Sequence, residues 1–140
     1  GGTRSDVASI RIDESRWPLV VISWPAEELD DDAVEAFIAA SEARLARRQI
    51  HLSLHDGVRA GGISSRHRKQ LAEHARAVEP LLREYMVAAA IVSQSALVHG
   101  VVTAINWLTP PVFPQKVFSD AAEAETWLGN QLERRLRVYR

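Results

Sequence analysis

Ser9-Ile10-Arg11-Ile12-Asp13 alternates apolar and polar side chains, the period-two pattern of a strand with one wet face. Leu19-Val20-Val21-Ile22-Ser23-Trp24 forms a second such run after a break at Trp17-Pro18, and the two predict successive strands. From Asp30 to Arg48 the period lengthens, with Val34, Phe37, Ile38 and Leu45 on one helical face, Asp30-Asp31-Asp32 at the start and Arg44, Arg47 and Arg48 at the end. Acid first and base last match the helix macrodipole. Ile50-His51-Leu52-Ser53-Leu54 returns to strict alternation, and His55-Asp56-Gly57 through Gly61-Gly62 supplies the turn chemistry that ends it.

Ser64 or Ser65 is placed to cap a second helix, which sets Leu71, Ala75, Val78 and Leu82 on one side and meets a bend or break at Pro80. Met86 to Val92 is apolar at every position, which predicts a strand buried on both faces. Ser93-Gln94-Ser95 then opens a third helix with Leu97, Val98, Val101, Val102, Ile105 and Leu108 expected to face inward, stopped by Pro110, Pro111 and Pro114. Val117-Phe118 marks a last short strand, and Asp120 with Glu123 makes a capping-box-like start for a helix running to about Arg137. The predicted order is β-β-α-β-α-β-α-β-α: an α/β fold with a mainly parallel five-stranded sheet. Right-handed crossovers between neighbouring strands would put the helices mostly on one face, leaving His51 and Ser53 on the other.

Composition narrows the class. At 140 residues, 46% hydrophobic and 25% charged, the chain has the balance of a globular domain, and its longest apolar run is far too short to cross a bilayer, which predicts no membrane insertion. Residues 1–8 read as a flexible N-terminus, Gly1-Gly2 being a candidate cloning remnant, and residues 9–137 as one domain. No apolar stretch follows a basic start, so no secretory signal is read in the chain. Zero cysteines exclude disulfides, thiolate catalysis and cysteine-ligated metal, and fit a cytoplasmic protein. A net charge of −1 offers no field for nucleic acid, and the basic cluster of Arg66, His67, Arg68, Lys69, His74 and Arg76 is diluted by Glu73 and Glu79 without aromatic residues to stack bases.

A hairpin-like start followed by β-α units, together with Ser64-Ser65 at the start of the second helix, resembles the STAS domain of anti-sigma-factor antagonists over residues 9–137. The segments Gly100-Val101-Val102-Thr103-Ala104-Ile105-Asn106-Trp107 and Pro110-Pro111-Val112-Phe113-Pro114, then Val117-Phe118 and Glu123-Ala124-Glu125-Thr126-Trp127-Leu128, are similar to small, uncharacterised bacterial STAS-like proteins. The resemblance implies a regulatory or protein-interaction module of bacterial signalling, with Ser64 or Ser65 as the modification candidate. The antagonists' Asp-Ser-Ser-Gly-like motif is only partly present, because Ile63 and not aspartate precedes the pair and Arg66 stands where glycine would follow.

The loop from Asp56 to Arg68 lies where open α/β sheets place ligands, at a strand's carboxyl end and a helix's amino end. Asp56, Arg59, Ser64, Ser65, Arg66 and Arg68 are its candidate binding residues, joined by Ser93 and Ser95 in the neighbouring connection. His99, Thr103 and Asn106 form a polar stripe on the third helix, and with Trp107, poised before Thr109-Pro110-Pro111, they are candidate interface residues. The five histidines have no metal-ligand spacing, no Gly-x-Ser-x-Gly elbow or Walker A sequence occurs, and neither an enzyme, a metal nor a cofactor is predicted. Two other readings stand beside the interaction module. One is a small apolar or lipid-like ligand held in a pocket lined by residues such as Phe37, Leu71 and Ile105. The other is a homodimer formed through the helix-free sheet face, by Ile10 or Ile12, Val20 or Ile22, and His51.

Overall fold

The computed structural model describes residues 10–59 and 63–138. Five strands, β1 (Arg11–Arg16), β2 (Leu19–Ser23), β3 (His51–Asp56), β4 (Met86–Val92) and β5 (Gln115–Phe118), form one sheet in sequence order. The sheet is mixed, which corrects the expectation of a mainly parallel one. The turn at Trp17-Pro18 is too short for a crossover, so β1 and β2 pair antiparallel, whereas β2–β3, β3–β4 and β4–β5 are joined through helices and pair parallel.

The helices are α1 (Asp31–Ala46), α2 (Ser65–Ala77), α3 (Glu79–Tyr85), α4 (Ala96–Leu108) and α5 (Ala121–Val138). Pro80 breaks the second predicted helix: its ring has no N–H to continue α2, but it fits the first turn of α3. The caps are local and explicit. Asp30 accepts from the Ala33 N–H, Ser64 from His67 and Ser95 from Val98.

Both faces of the sheet are covered. Leu52, Leu54, Ala88, Ala90 and Val92 point to α5 and pack with Ala124, Leu128 and Phe118. By strand alternation His51, Ser53 and His55 point the other way, toward α1, whose Phe37 packs on Trp24 at 5.3 Å between ring centres. The expected helix-free face therefore does not exist. The handedness rule governs crossovers between parallel strands, and α5 has no following strand, so it is free to take the face the crossovers leave open. His51 (0% exposed), Ser53 (1%), Val20 (0%) and Ile22 (1%) are sealed within the chain, which removes the surface on which sheet-face dimerisation was expected.

The α4 helix is turned about its axis relative to expectation. Val98, His99, Val102 and Asn106 face the body, while Leu97, Val101, Ile105 and Leu108 face out. Two hydrogen bonds account for the rotation: His99 Nε2 donates to the Ser93 carbonyl at 2.8 Å, and Asn106 Nδ2 to the Gln115 carbonyl at 3.1 Å. These polar groups satisfy the backbone carbonyls of Ser93, just before α4, and of Gln115, at the start of β5, and claim the inward face.

Candidate functional site

The C-terminal ends of β2, β3 and β4 frame a cleft of about 190 Å³ on the side of the sheet that faces α1. Trp24, Leu29, Val58, Ile63 and Ile91 supply an apolar lining, with His55 and Gln115 as polar points and Arg59 at the margin. Backbone pairing builds it: the Trp24 N–H donates to the Asp56 carbonyl at 2.9 Å, carrying the β2–β3 ladder one step past the strand ends. Gly57 then turns the chain with φ at 78°, a left-handed conformation that L side chains rarely adopt. A Cβ at this position would lie 3.1 Å from the Trp24 carbonyl oxygen, so glycine serves both the turn and the close approach.

His55 is the chemically distinctive group. Its ring stacks on Trp24 at 5.9 Å between centres, and Trp24 Nε1 donates to its Nδ1 at 3.1 Å. An indole nitrogen can only donate, so Nδ1 is an acceptor and the neutral ring carries its proton on Nε2. Desolvation, followed by the positive charge of Arg44, pushes the imidazole pKa down to about 4, which keeps the ring neutral at physiological pH. Nε2 has no partner among the described residues.

A polar groove adjoins the cleft. Asp56, Gly57, Val58 and Arg59 form one wall, and Val92, Ser93, Gln94 and Ser95 the other. The sequence-predicted residues of the two connections are thus brought together, but most of them hold structure. Ser93 is buried, and its hydroxyl donates to the Val58 carbonyl at 2.6 Å while accepting from the Ser95 N–H at 3.1 Å. Ser95 caps α4 and Ser64 caps α2. Arg66 is drawn to Asp31 at 2.6 Å, and Arg68 donates to the Ile63 carbonyl at 3.0 Å, so neither stands free to join Arg59. Ser65 is exposed in the first turn of α2, while Gly61 and Gly62 of the predicted loop lie outside the described residues.

The basic face of α2 is less open than its sequence suggests. His67 is buried, and its Nε2 lies 2.7 Å from Asp31, tying the start of α2 to the start of α1. The hydrogen bond from His67, then the one from Arg66 and its positive charge, hold the Asp31 carboxyl below its usual range. His74 reaches Ser41 at 3.3 Å. Of the four candidate interface residues, His99 and Asn106 point inward, and Thr103 and Trp107 are exposed. The pocket lining expected from sequence is also displaced: Phe37 backs Trp24, Leu71 is half-buried elsewhere, and Ile105 faces out. Trp24, Leu29 and Ile91, which do line the cleft, carried no distinguishing signal, although the apolar Trp24-Pro25 beyond β2 is consistent with it.

Among solved structures, an uncharacterised protein from Shewanella loihica PV-4, described as of the DUF3478 family with a SpoIIAA-like fold, aligns with a TM-score of 0.66 and 21% identity. The alignment covers 87% of this chain and 94% of that one. The fold is SpoIIAA-like. The STAS-like architecture expected from the order of elements is therefore the observed one. No family model and no curated protein matches the sequence. No helix among the described residues is long and apolar enough to cross a membrane, and no group of three or more metal-ligating side chains occurs among them.

Proposed function

We propose that this chain is a non-catalytic binding module of STAS-like fold, and that it takes a small apolar molecule in the cleft beside Trp24 and His55. The observation that carries this reading is the cleft's chemistry: a largely apolar lining with one desolvated, neutral imidazole whose Nε2–H is a hydrogen-bond donor. An apolar pocket with a few convergent polar groups and a perturbed titratable residue is the usual form of a small-molecule site. None of the described lining residues offers a hydroxyl, thiol or carboxylate, which favours binding over bond-making chemistry. The volume suits a ligand of about one aromatic ring, since a cavity of roughly 150 Å³ takes up benzene.

The adjoining groove favours a second, compatible role as a contact surface for a regulatory protein partner. Gly57, Val58 and Arg59 both line the cleft and wall the groove, so within this reading a protein partner contacting that rim would sense the ligand. Ser65, exposed at the start of α2, is the modification candidate within this reading. Intact-mass measurement on protein from its own cells, across growth conditions, tests it; only unmodified chain would remove that part.

Thermal unfolding with a panel of small aromatics tests the ligand reading. A ligand at a hundred times its dissociation constant stabilises by about 2.7 kcal/mol. An upward shift in the wild-type melt, lost in Ile91→Trp, is expected; an equal shift in both proteins would place binding elsewhere.

A further inference from the structure

The outward face of α4 carries an apolar surface that no other element among the described residues covers. Leu97, Val101, Ile105 and Leu108 are 64%, 48%, 53% and 82% exposed, and Trp107 beside them is 85% exposed. The helix packs chiefly on β5, the edge strand of the sheet, so its far side has no neighbour. From Ala96 to Leu108 there is no Asp, Glu, Lys or Arg. Single exposed apolar residues are ordinary, but a continuous stripe of this extent marks an interaction surface.

We propose that α4 pairs with α4 of a second copy of this chain, antiparallel about a two-fold axis. The stripe reads nearly the same in both directions: leucine at each end, β-branched Val101 and Ile105 between them. A two-fold antiparallel pairing centred between Val101 and Ile105 sets Leu97 on the partner copy's Leu108 and Val101 on its Ile105. This is the self-complementarity that an isologous interface requires. Gly100 and Ala104 fall on the same side, and space around Gly100 is open, which lets the two helix backbones approach closely. The absence of charge matters as well: a two-fold axis brings like residues near one another, and here no like charges meet. The four stripe residues present on the order of 400 Å², so two copies would bury roughly 800 Å², the range of a weak, concentration-dependent interface. The surface is separate from the cleft, and the pairing stands or falls independently of ligand binding.

Sedimentation velocity of the full chain at about 100 μM, a concentration suited to an interface at the low end of the specific range, is the first measurement. The wild type is expected to sediment at twice the chain mass, and the double variant Val101→Glu, Ile105→Glu at the chain mass with an unchanged far-UV circular dichroism spectrum. A wild-type monomer, or a double variant that stays dimeric, overturns the proposal. Because the native chain has no cysteine, disulfide trapping gives a second readout should the charged variant fail to fold. Leu97→Cys and Leu108→Cys chains, mixed and oxidised, are expected to cross-link mainly to each other. A mixed product in no more than its statistical proportion to the two self-linked ones would rule out the antiparallel register, and no cross-linking at all would rule out the interface.

Discussion

The indole N–H of Trp24 donates to Nδ1 of His55 at 3.1 Å, and that bond fixes the proton of the neutral imidazole on Nε2. Removing the donor frees the ring to take either tautomer. Trp24→Phe preserves most of the lining but is expected to weaken binding of an acceptor-bearing aromatic about tenfold, on the scale of one hydrogen bond. Binding of a purely hydrocarbon ring should change little, and calorimetric titration of the two ligand types checks the difference.

The depressed pKa of His55 makes a pH prediction with a definite sign. The folded value lies near 4 and the unfolded value near 6.5, so between them the unfolded chain binds the proton more readily. The stability His55 contributes is complete above about pH 6.5 and is lost as pH falls toward 4. His51, lowered mainly by burial, acts in the same direction. Asp13, Asp31 and Glu125, held low by hydrogen bonds, contribute at more acid pH, below their ordinary values of 3.8 to 4.5. Denaturant unfolding at pH 7 and pH 5 is expected to show lower stability at pH 5, with a shallower loss in His55→Gln.

Gly57 tests the rim. Gly57→Ala forces a side chain into a left-handed turn against the Trp24 carbonyl, and is expected to destabilise by at least about 1 kcal/mol. Either result is legible in a urea melt; an unchanged midpoint would show that the turn relaxes freely.

Ser93 and Ser95 look alike in sequence and differ in role. Ser93→Ala leaves the Val58 carbonyl without its donor in a half-buried site, with an expected loss of about 1–3 kcal/mol. Ser95→Ala removes a helix cap worth about 1 kcal/mol. Only Ser93→Ala should also loosen residues 56–59, which hydrogen exchange of the Val58 and Arg59 amides would detect.

Arg44 is a buried cation, 4% exposed, whose nearest counter-charge, Glu14, lies 3.7 Å away. Burial lowers its pKa despite that neighbour. Its Nε and Nη1 have no hydrogen-bond partner among the described residues. Replacing such a group with an apolar side chain of similar length is often neutral or stabilising. Arg44→Met is therefore expected to match or exceed wild-type stability, whereas Glu14→Gln, which leaves the cation buried, is expected to lower it by about 1–3 kcal/mol. Paired urea melts give the comparison.

Strand and helix positions were legible because alternation, capping residues and Pro80 act locally. Asp30, Ser64 and Ser95 announce their helix starts in sequence and perform them in the structure. Two errors arose where local pattern yields to tertiary demand. Hydrophobicity alone turns Leu97 and Ile105 of α4 inward, but His99 and Asn106 satisfy carbonyls of the flanking chain and reverse the helix. Likewise, strand alternation shows that His51 and Ser53 share a face without showing what covers it. That the candidate binding residues in the connections mostly hold structure is not legible, because hydroxyls and guanidinium groups give no sign in sequence of the backbone groups they bind. Trp24 and Ile91 meet in the cleft only through the strand register, which a single sequence does not display.

The most direct test of the cleft as a binding site is nuclear magnetic resonance of the full chain titrated with indole, following the Trp24 side-chain N–H and the Gly57 amide. Binding at the site predicts saturable shifts at both, absent from the same signals of Ile91→Trp. Saturating indole that leaves both signals in place, or moves only resonances of α4, would contradict it.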